Sequence, residues 1–303
     1  VVTYGAIEAG GTRWVCAIVD EAGKLLERRI LPTTTPPETL AATVDFFREQ
    51  GVPAAVGIGA FGPLDLRPGS PTFGFVTTTP KPGWAYTDLV TPVREALEVP
   101  VVIDTDVNAA AVGERGGGRG AGLDDFVYLT VGTGIGGGAF VAGVLLRGIQ
   151  HPEIGHMRIP HDRDADPFPG NCPYHGDCLE GLASGVAMLE RWGCPAEELD
   201  DPRAWDLEAS YLAHGLVNLT YTLAPRRIIV GGGVARRPGL HALVRARVGE
   251  LLAGYVDHPG LVDGLDDYLT PPGHGDLSGV LGAAALARAA VNAGPVADLG
   301  VER

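Results

Sequence analysis

Three times in this chain an apolar, β-prone run ends in a glycine-rich turn: Glu8-Ala9-Gly10-Gly11-Thr12, Gly132-Thr133-Gly134-Ile135-Gly136-Gly137-Gly138 and Gly231-Gly232-Gly233-Val234. Such a turn brings backbone N–H groups close to phosphate oxygens without interference from Cβ, and a neighbouring threonine hydroxyl can donate as well. A single turn of this kind reads first as a tight hairpin. Its threefold recurrence shifts the reading toward anion binding. Two stretches match a dinucleotide fingerprint formally, Gly132-x-Gly134-x-x-Gly137 and Gly57-x-Gly59-x-x-Gly62. The first runs into another strand and the second into Pro63-Leu64-Asp65, so neither opens the helix that would receive a pyrophosphate. No G-x-x-x-x-G-K-[ST] segment occurs, which removes the P-loop class.

The spacing of apolar residues predicts the order βββαβαβ over the first part of the chain. YGAIEAGG, RWVCAIVD and KLLERRILP read as three antiparallel strands, and ETLAATVDFFREQ as a helix with Leu40, Val44 and Phe47 on one side. AAVGIGAFG is a strand, TDLVTPVREALE holds a helix, and PVVIDTD is a strand leading into the helix-like NAAAVGERG. A mixed α/β sheet follows. The pattern restarts in DDFVYLTVGTGIGGGAFVAGVLLRG, so two related halves are expected. Helices are expected near 179–192 and 206–223, with a strand at RRIIVGGG and an Ala-rich C-terminal helix that returns to the first half. The predicted domains are 1–115 completed by helix 280–303, and 116–279.

Composition narrows the class. Glycine supplies 45 of 303 residues without a Gly-x-x period, which excludes collagen, and 45% hydrophobic residues exclude a disordered linker. A formal net charge of −14 lacks the basic footprint that a nucleic acid partner requires. From Phe126 to Leu146 no residue is charged, a span of 21, but its central glycines make it a hairpin instead of a membrane helix. Four scattered cysteines do not form a secreted disulfide framework, so a reducing cytoplasm is expected. VVTYGAIEAGG has no basic n-region of a signal peptide, and its first residue is Val instead of Met, as in a processed or trimmed product.

Chemistry concentrates in the irregular stretch 154–180. His156 together with Cys172-x-x-His175-x-x-Cys178 offers two thiolates and two imidazoles, a complete tetrahedral set for one structural Zn²⁺. The alternative is two ordinary thiols beside surface histidines. Cys16 and Cys194 read as buried packing. Asp106, at the end of an apolar strand and the start of a helix, is either a helix N-cap or a carboxylate placed where open α/β sheets bind ligands. Glu153, His156 and Glu180 lie beside the metal loop. Carboxylates and imidazole there suit a polyhydroxyl ligand, and zinc on one nitrogen of His156 would fix the other.

Taken together, GAIEAGGTR, GAFGPLDL, TTTPKPGW, DTDVNAAAVGE, VGTGIGGG, HPEIGHM, CPYHGDCLEGLASG and APRRIIVGGGV resemble the ROK family of sugar kinases over nearly the whole chain. The nearest branch is the zinc-containing bacterial fructokinases. The resemblance implies the two-domain actin-like, sugar kinase and Hsp70 ATPase fold with an interdomain cleft. It implies transfer of the ATP γ-phosphate to D-fructose, with Mg²⁺ on the phosphates, in a cytoplasmic homodimer without nucleic acid or membrane partners. By motif, Asp106 corresponds to the catalytic base, and Gly62, Thr105, Asp106, Glu153, His156 and Glu180 to sugar-binding positions. Gly10, Gly11, Thr12 and Arg13 with Gly132, Thr133 and Gly134 correspond to the phosphate turns, and Gly231, Gly232 and Gly233 to the segment near adenosine. His156, Cys172, His175 and Cys178 correspond to the zinc ligands.

The chain departs from the wider family at Glu8, where Asp is usual, at Arg13, where Lys is usual, and at Thr105, where Asn is usual. His175 stands where many glucokinases of the family have a third zinc cysteine. These departures leave mannose and glucose as alternative substrates. A sugar-sensing ROK regulator would need a DNA-binding domain, for which no residues precede the first phosphate-binding strand. An actin-like or chaperone ATPase would leave the zinc loop unexplained.

Overall fold

A computed structural model describes residues 1–292 of the chain, which divide into two compact units. The strands are β1 Thr3–Ala9, β2 Arg13–Asp20, β3 Leu25–Pro32, β4 Val56–Ala60, β5 Val101–Thr105, β6 Phe126–Val131, β7 Ile135–Val141, β8 Val144–Leu145, β9 Ile228–Gly231 and β10 Leu269–Thr270. The helices are α1 Pro36–Gln50, α2 Thr91–Leu97, α3 Asp106–Arg115, α4 Leu179–Ala183, α5 Gly185–Trp192, α6 Pro202–Leu223, α7 Leu240–Leu252, α8 Pro259–Val262, α9 Leu265–Tyr268 and α10 Ser278–Asn292.

The first unit holds a sheet in the order β3-β2-β1-β4-β5, antiparallel through β3, β2 and β1 and parallel from β1 to β5. Alternate side chains of β2 take opposite faces, as a pleated strand requires. Trp14, Cys16 and Ile18 join Phe46, Phe47 and Leu89 on one face, while Val15, Ala17 and Val19 meet Val280, Ala283 and Ala284 of α10 on the other. α10 approaches α3 and β4 at backbone distance. A Cβ on Gly282 would overlap the carbonyl oxygen of Ala109, and one on Gly57 would overlap that of Ala283. Part of the glycine content therefore serves close packing of helix on helix and helix on strand. The expected helix 280–303 starts at Ser278, and its part beyond Asn292 lies outside the described residues.

The second unit repeats the topology, with the order β10-β9-β6-β7-β8, antiparallel through β6, β7 and β8 and parallel through β6, β9 and β10. In this correspondence β6 stands for β1 and β7 for β2. The uncharged run Phe126 to Leu146 is the β6–β7–β8 meander, and no described helix is long and apolar enough to cross a membrane. The units change over at Ala121/Gly122 and Asp276/Leu277, and Arg147–His151, expected with the second, groups with the first. The reason is local: His151 Nε2 accepts from the Leu64 N–H at 3.1 Å, and Arg147 pairs with Asp104. The Pro-rich segment after Gly62 is pinned through Asp65, whose carboxylate accepts from Arg67 (2.7 Å), Ser70 (2.6 Å) and Thr72 (2.7 Å).

Gly282→Ala inserts a methyl group against a backbone carbonyl that cannot rotate away, so it should destabilise the protein by about 1–3 kcal/mol. A lowered midpoint in urea unfolding is the expected reading.

Candidate functional site

In the first unit the parallel strand β5 ends at Thr105, and α3 begins at Asp106. The helix cap is Thr105, whose Oγ1 accepts from the Asn108 N–H at 3.1 Å, which corrects the reading of Asp106 as the cap. Asp106 occupies the first helical position, and its Oδ1 accepts from the Val107 N–H at 2.9 Å. From Ile103 to Ala111 every residue is buried except Asp106, so this carboxylate alone reaches the surface there. Beneath it lies Asp104, which sequence reasoning passed over as strand interior. Its Oδ1 accepts from the Thr105 N–H and from Asn108 Nδ2, both at 2.8 Å, and its Oδ2 pairs with Arg147. The available signal was an acid inside an otherwise apolar strand, since a buried carboxylate requires a cation or donors.

The first glycine turn joins β1 to β2. The Gly10 N–H donates to the Arg13 carbonyl at 3.0 Å, and the Gly10 carbonyl accepts from Thr33 Oγ1 at 2.7 Å. Among the described residues the Gly11 and Thr12 amides have no protein partner. Gly62 lies against the His151 ring, which a Cβ would approach to 3.5 Å.

In the second unit the equivalent turn joins β6 to β7. The Gly132 N–H donates to the Gly134 carbonyl at 2.9 Å, the Gly132 carbonyl accepts from the Gly185 N–H at 2.7 Å, and the Ile135 N–H donates to Glu180 Oε2 at 2.9 Å. Thr133 and Gly134 amides are again without a protein partner among the described residues. Adjacent amides of this kind in a turn are able to donate to an anion. Parallel pairing of Thr130 with Gly231 places the third turn, Gly231 to Gly233, beside the second.

Four side chains of the insert converge: the ligand atoms of His156, Cys172, His175 and Cys178 all lie within 4.8 Å of one another. His156 Nδ1 is 3.7 Å from Cys172 Sγ and 3.5 Å from Cys178 Sγ, and His175 Nδ1 is 3.5 Å from Cys172 Sγ. Zinc bonded to sulfur and nitrogen in a tetrahedron separates the two atoms by about 3.5 Å, so the donor set fits that ion. Burial pushes the Cys178 thiol up to about 11, with the Cys172 thiol adding to the rise, and a bound cation is what would favour the thiolate. Gly176 and Cys172 exchange backbone bonds of 2.9 and 3.2 Å, so the loop turns as a tight hairpin. With Nδ1 facing the sulfurs, His156 directs Nε2 toward Glu180 Oε1 at 4.0 Å. That separation is too long for a direct hydrogen bond and suits an intervening hydroxyl. Burial, and next the charge of Glu180, raise the Glu153 carboxyl to about 7.

Cys16 is buried as expected, whereas Cys194 is partly exposed at the edge of the second core. Sequence reasoning also missed the Ile135 N–H, because a backbone donor carries no side-chain signature.

The sequence profile of the ROK family matches residues 4–290. The chain belongs to the ROK family. Among ROK relatives, the fructokinase of Lactococcus lactis subsp. cremoris is 46% identical over 264 residues, covering 86% of this chain and 89% of that protein. The fructokinase of Zymomonas mobilis subsp. mobilis is 45% identical over 301 residues, covering 95% and 97%. A ROK family glucokinase from Streptomyces griseus, solved in complex with glucose and AMPPNP, matches with a TM-score of 0.78 at 28% identity over 95% of this chain and 100% of that one. The architecture is thus the actin-like sugar kinase fold.

Elemental analysis of protein purified without added metal should find about one zinc per chain. Stripping it with a chelator should lower the thermal midpoint, and a metal-free protein of unchanged stability would remove the site.

Proposed function

We propose that this chain is an ATP-dependent fructokinase that converts D-fructose and ATP to fructose 6-phosphate and ADP. Its similarity to fructokinases over most of its length supports the substrate. The observation that carries the chemistry is Asp106, the one residue reaching the surface in a buried run, at the carboxyl end of a parallel strand.

In this reading the Asp106 carboxylate accepts the proton of the attacking sugar hydroxyl. The hydroxyl oxygen bonds to the γ-phosphorus as the bond from that phosphorus to the β–γ bridging oxygen breaks, and ADP departs. Phosphoryl transfer asks mainly for positioning and charge stabilisation. The Gly11, Thr12, Thr133 and Gly134 amides supply donors for the phosphates, and Gly231 to Gly233 border the adenosine. Gly62, Thr105, Glu153, His156 and Glu180 hold the sugar. A carboxyl near its midpoint at neutral pH, as Glu153 is, can donate to one hydroxyl or accept from another. Mg²⁺ accompanying ATP neutralises phosphate charge, and zinc on His156, Cys172, His175 and Cys178 shapes the loop that presents His156 and Glu180. The family resemblance further implies a cytoplasmic homodimer.

ADP release measured across hexoses and N-acetylhexosamines tests the substrate: fructose should give the highest kcat/KM. Faster turnover of glucose or mannose would replace fructose within the same chemistry, and ADP release indifferent to every sugar would overturn the kinase reading. Asp106→Asn should lower kcat by about a hundredfold or more while sugar affinity is largely kept. Turnover close to wild type in a coupled assay would remove Asp106 from the role of base.

A further inference from the structure

Glu180 makes two contacts that point in different directions. Oε2 accepts from the Ile135 N–H at 2.9 Å, at the end of the Gly132 to Gly134 turn, while Oε1 faces His156 Nε2 at 4.0 Å. Gly134 is cut to fit this arrangement, since a Cβ there would stand 2.6 Å from Glu180 Oε2. The segment bearing Glu180 grips the same turn a second time, through the Gly185 N–H donating to the Gly132 carbonyl at 2.7 Å. Between them the two contacts hold both ends of the turn and leave the Thr133 and Gly134 amides for a ligand. A carboxylate beside a phosphate-binding turn carries an electrostatic cost against an anionic ligand, which a neutral side chain would avoid. Fixing the turn while offering a second oxygen to a hydroxyl is what the carboxylate adds.

We propose that Glu180 is a positioning residue for the nucleotide as well as a sugar contact, so that one side chain couples hexose binding to the order of the phosphate turn. This rests on the reading of Thr133 and Gly134 as phosphate donors. When a sugar hydroxyl engages Oε1, the carboxylate loses its freedom to rotate, and its hold on the Ile135 N–H tightens. Hexose should therefore raise the affinity for nucleotide, and nucleotide the affinity for hexose by the same factor.

Titration calorimetry with AMPPNP and Mg²⁺, with and without saturating fructose, tests the coupling in wild type, Glu180→Ala and Glu180→Gln. Thermal melts and zinc content verify that each variant keeps its fold and its metal loop. Wild type should bind AMPPNP more tightly with fructose present. Glu180→Ala loses a charge-assisted hydrogen bond to the turn, so its AMPPNP affinity without sugar should fall about tenfold, with no gain on adding fructose. In Glu180→Gln the amide carbonyl still accepts from the Ile135 N–H, so AMPPNP affinity without sugar should stay within about threefold of wild type, while fructose affinity and the mutual enhancement drop. Undiminished AMPPNP affinity in folded Glu180→Ala, an equal loss in Glu180→Gln, or no fructose effect in wild type would each overturn the coupling. Wild-type protein that does not bind AMPPNP at all would overturn the nucleotide reading and the coupling with it.

Discussion

The junction of β5 and α3 depends on the carboxylate of Asp104, whose side chain is 1% exposed. A charge so deeply buried is tolerable only with a cation and donors around it, and Asp104 has Arg147, the Thr105 N–H and Asn108 Nδ2. These contacts fix Thr105, which caps α3, and Asn108 in its first turn, and so hold the backbone on both sides of Asp106. They also explain why Arg147–His151 belongs to the first unit although the meander before it and the metal loop after it belong to the second. Removing Arg147 would leave the buried Asp104 carboxylate without its cation, whereas Arg147, at 37% exposure, could be met by water if Asp104 were removed.

Repetition of one sheet topology gives the chain two equivalent glycine turns. β1 and β6 hold the same place in their sheets, so the Gly11 and Thr12 amides occupy the position in the first unit that the Thr133 and Gly134 amides occupy in the second. A chain of formal charge −14 attracts no anion by its overall field. Any anion it binds must instead be met by local donors, such as backbone amides in a turn.

Much of this was readable in the residues. Alternating apolar runs gave the first seven elements and the β6–β7–β8 meander, because each is a short strand bounded by glycine or a helix with a clear apolar face. The metal quartet was readable from ligand chemistry and spacing. α7 went unread although its buried positions, Leu240, Val244, Val248 and Leu252, recur at helical spacing. α8, α9 and β10 are too short for periodicity to register. Asp104, Arg147 and the Ile135 N–H act through partners 43 and 45 residues away in the chain, or through the backbone, and local pattern carries no trace of such pairings. Glycine was the most misleading letter, since the same residue marks an inter-strand turn at Gly134 and a helix contact at Gly282.

The packing of α10 also bears on the order in which the protein is made. One face of the first sheet, formed by Ala6, Val15, Ala17 and Val19, is covered by Val280, Ala283 and Ala284. Everything between β2 and α10, the second unit included, must therefore be synthesised before that face can be buried. Until α10 is made, those strands have that apolar surface uncovered, whereas the second unit has all of its own residues once Asp276 is added. Of the two units, the one that starts first along the chain is the last that can be completed.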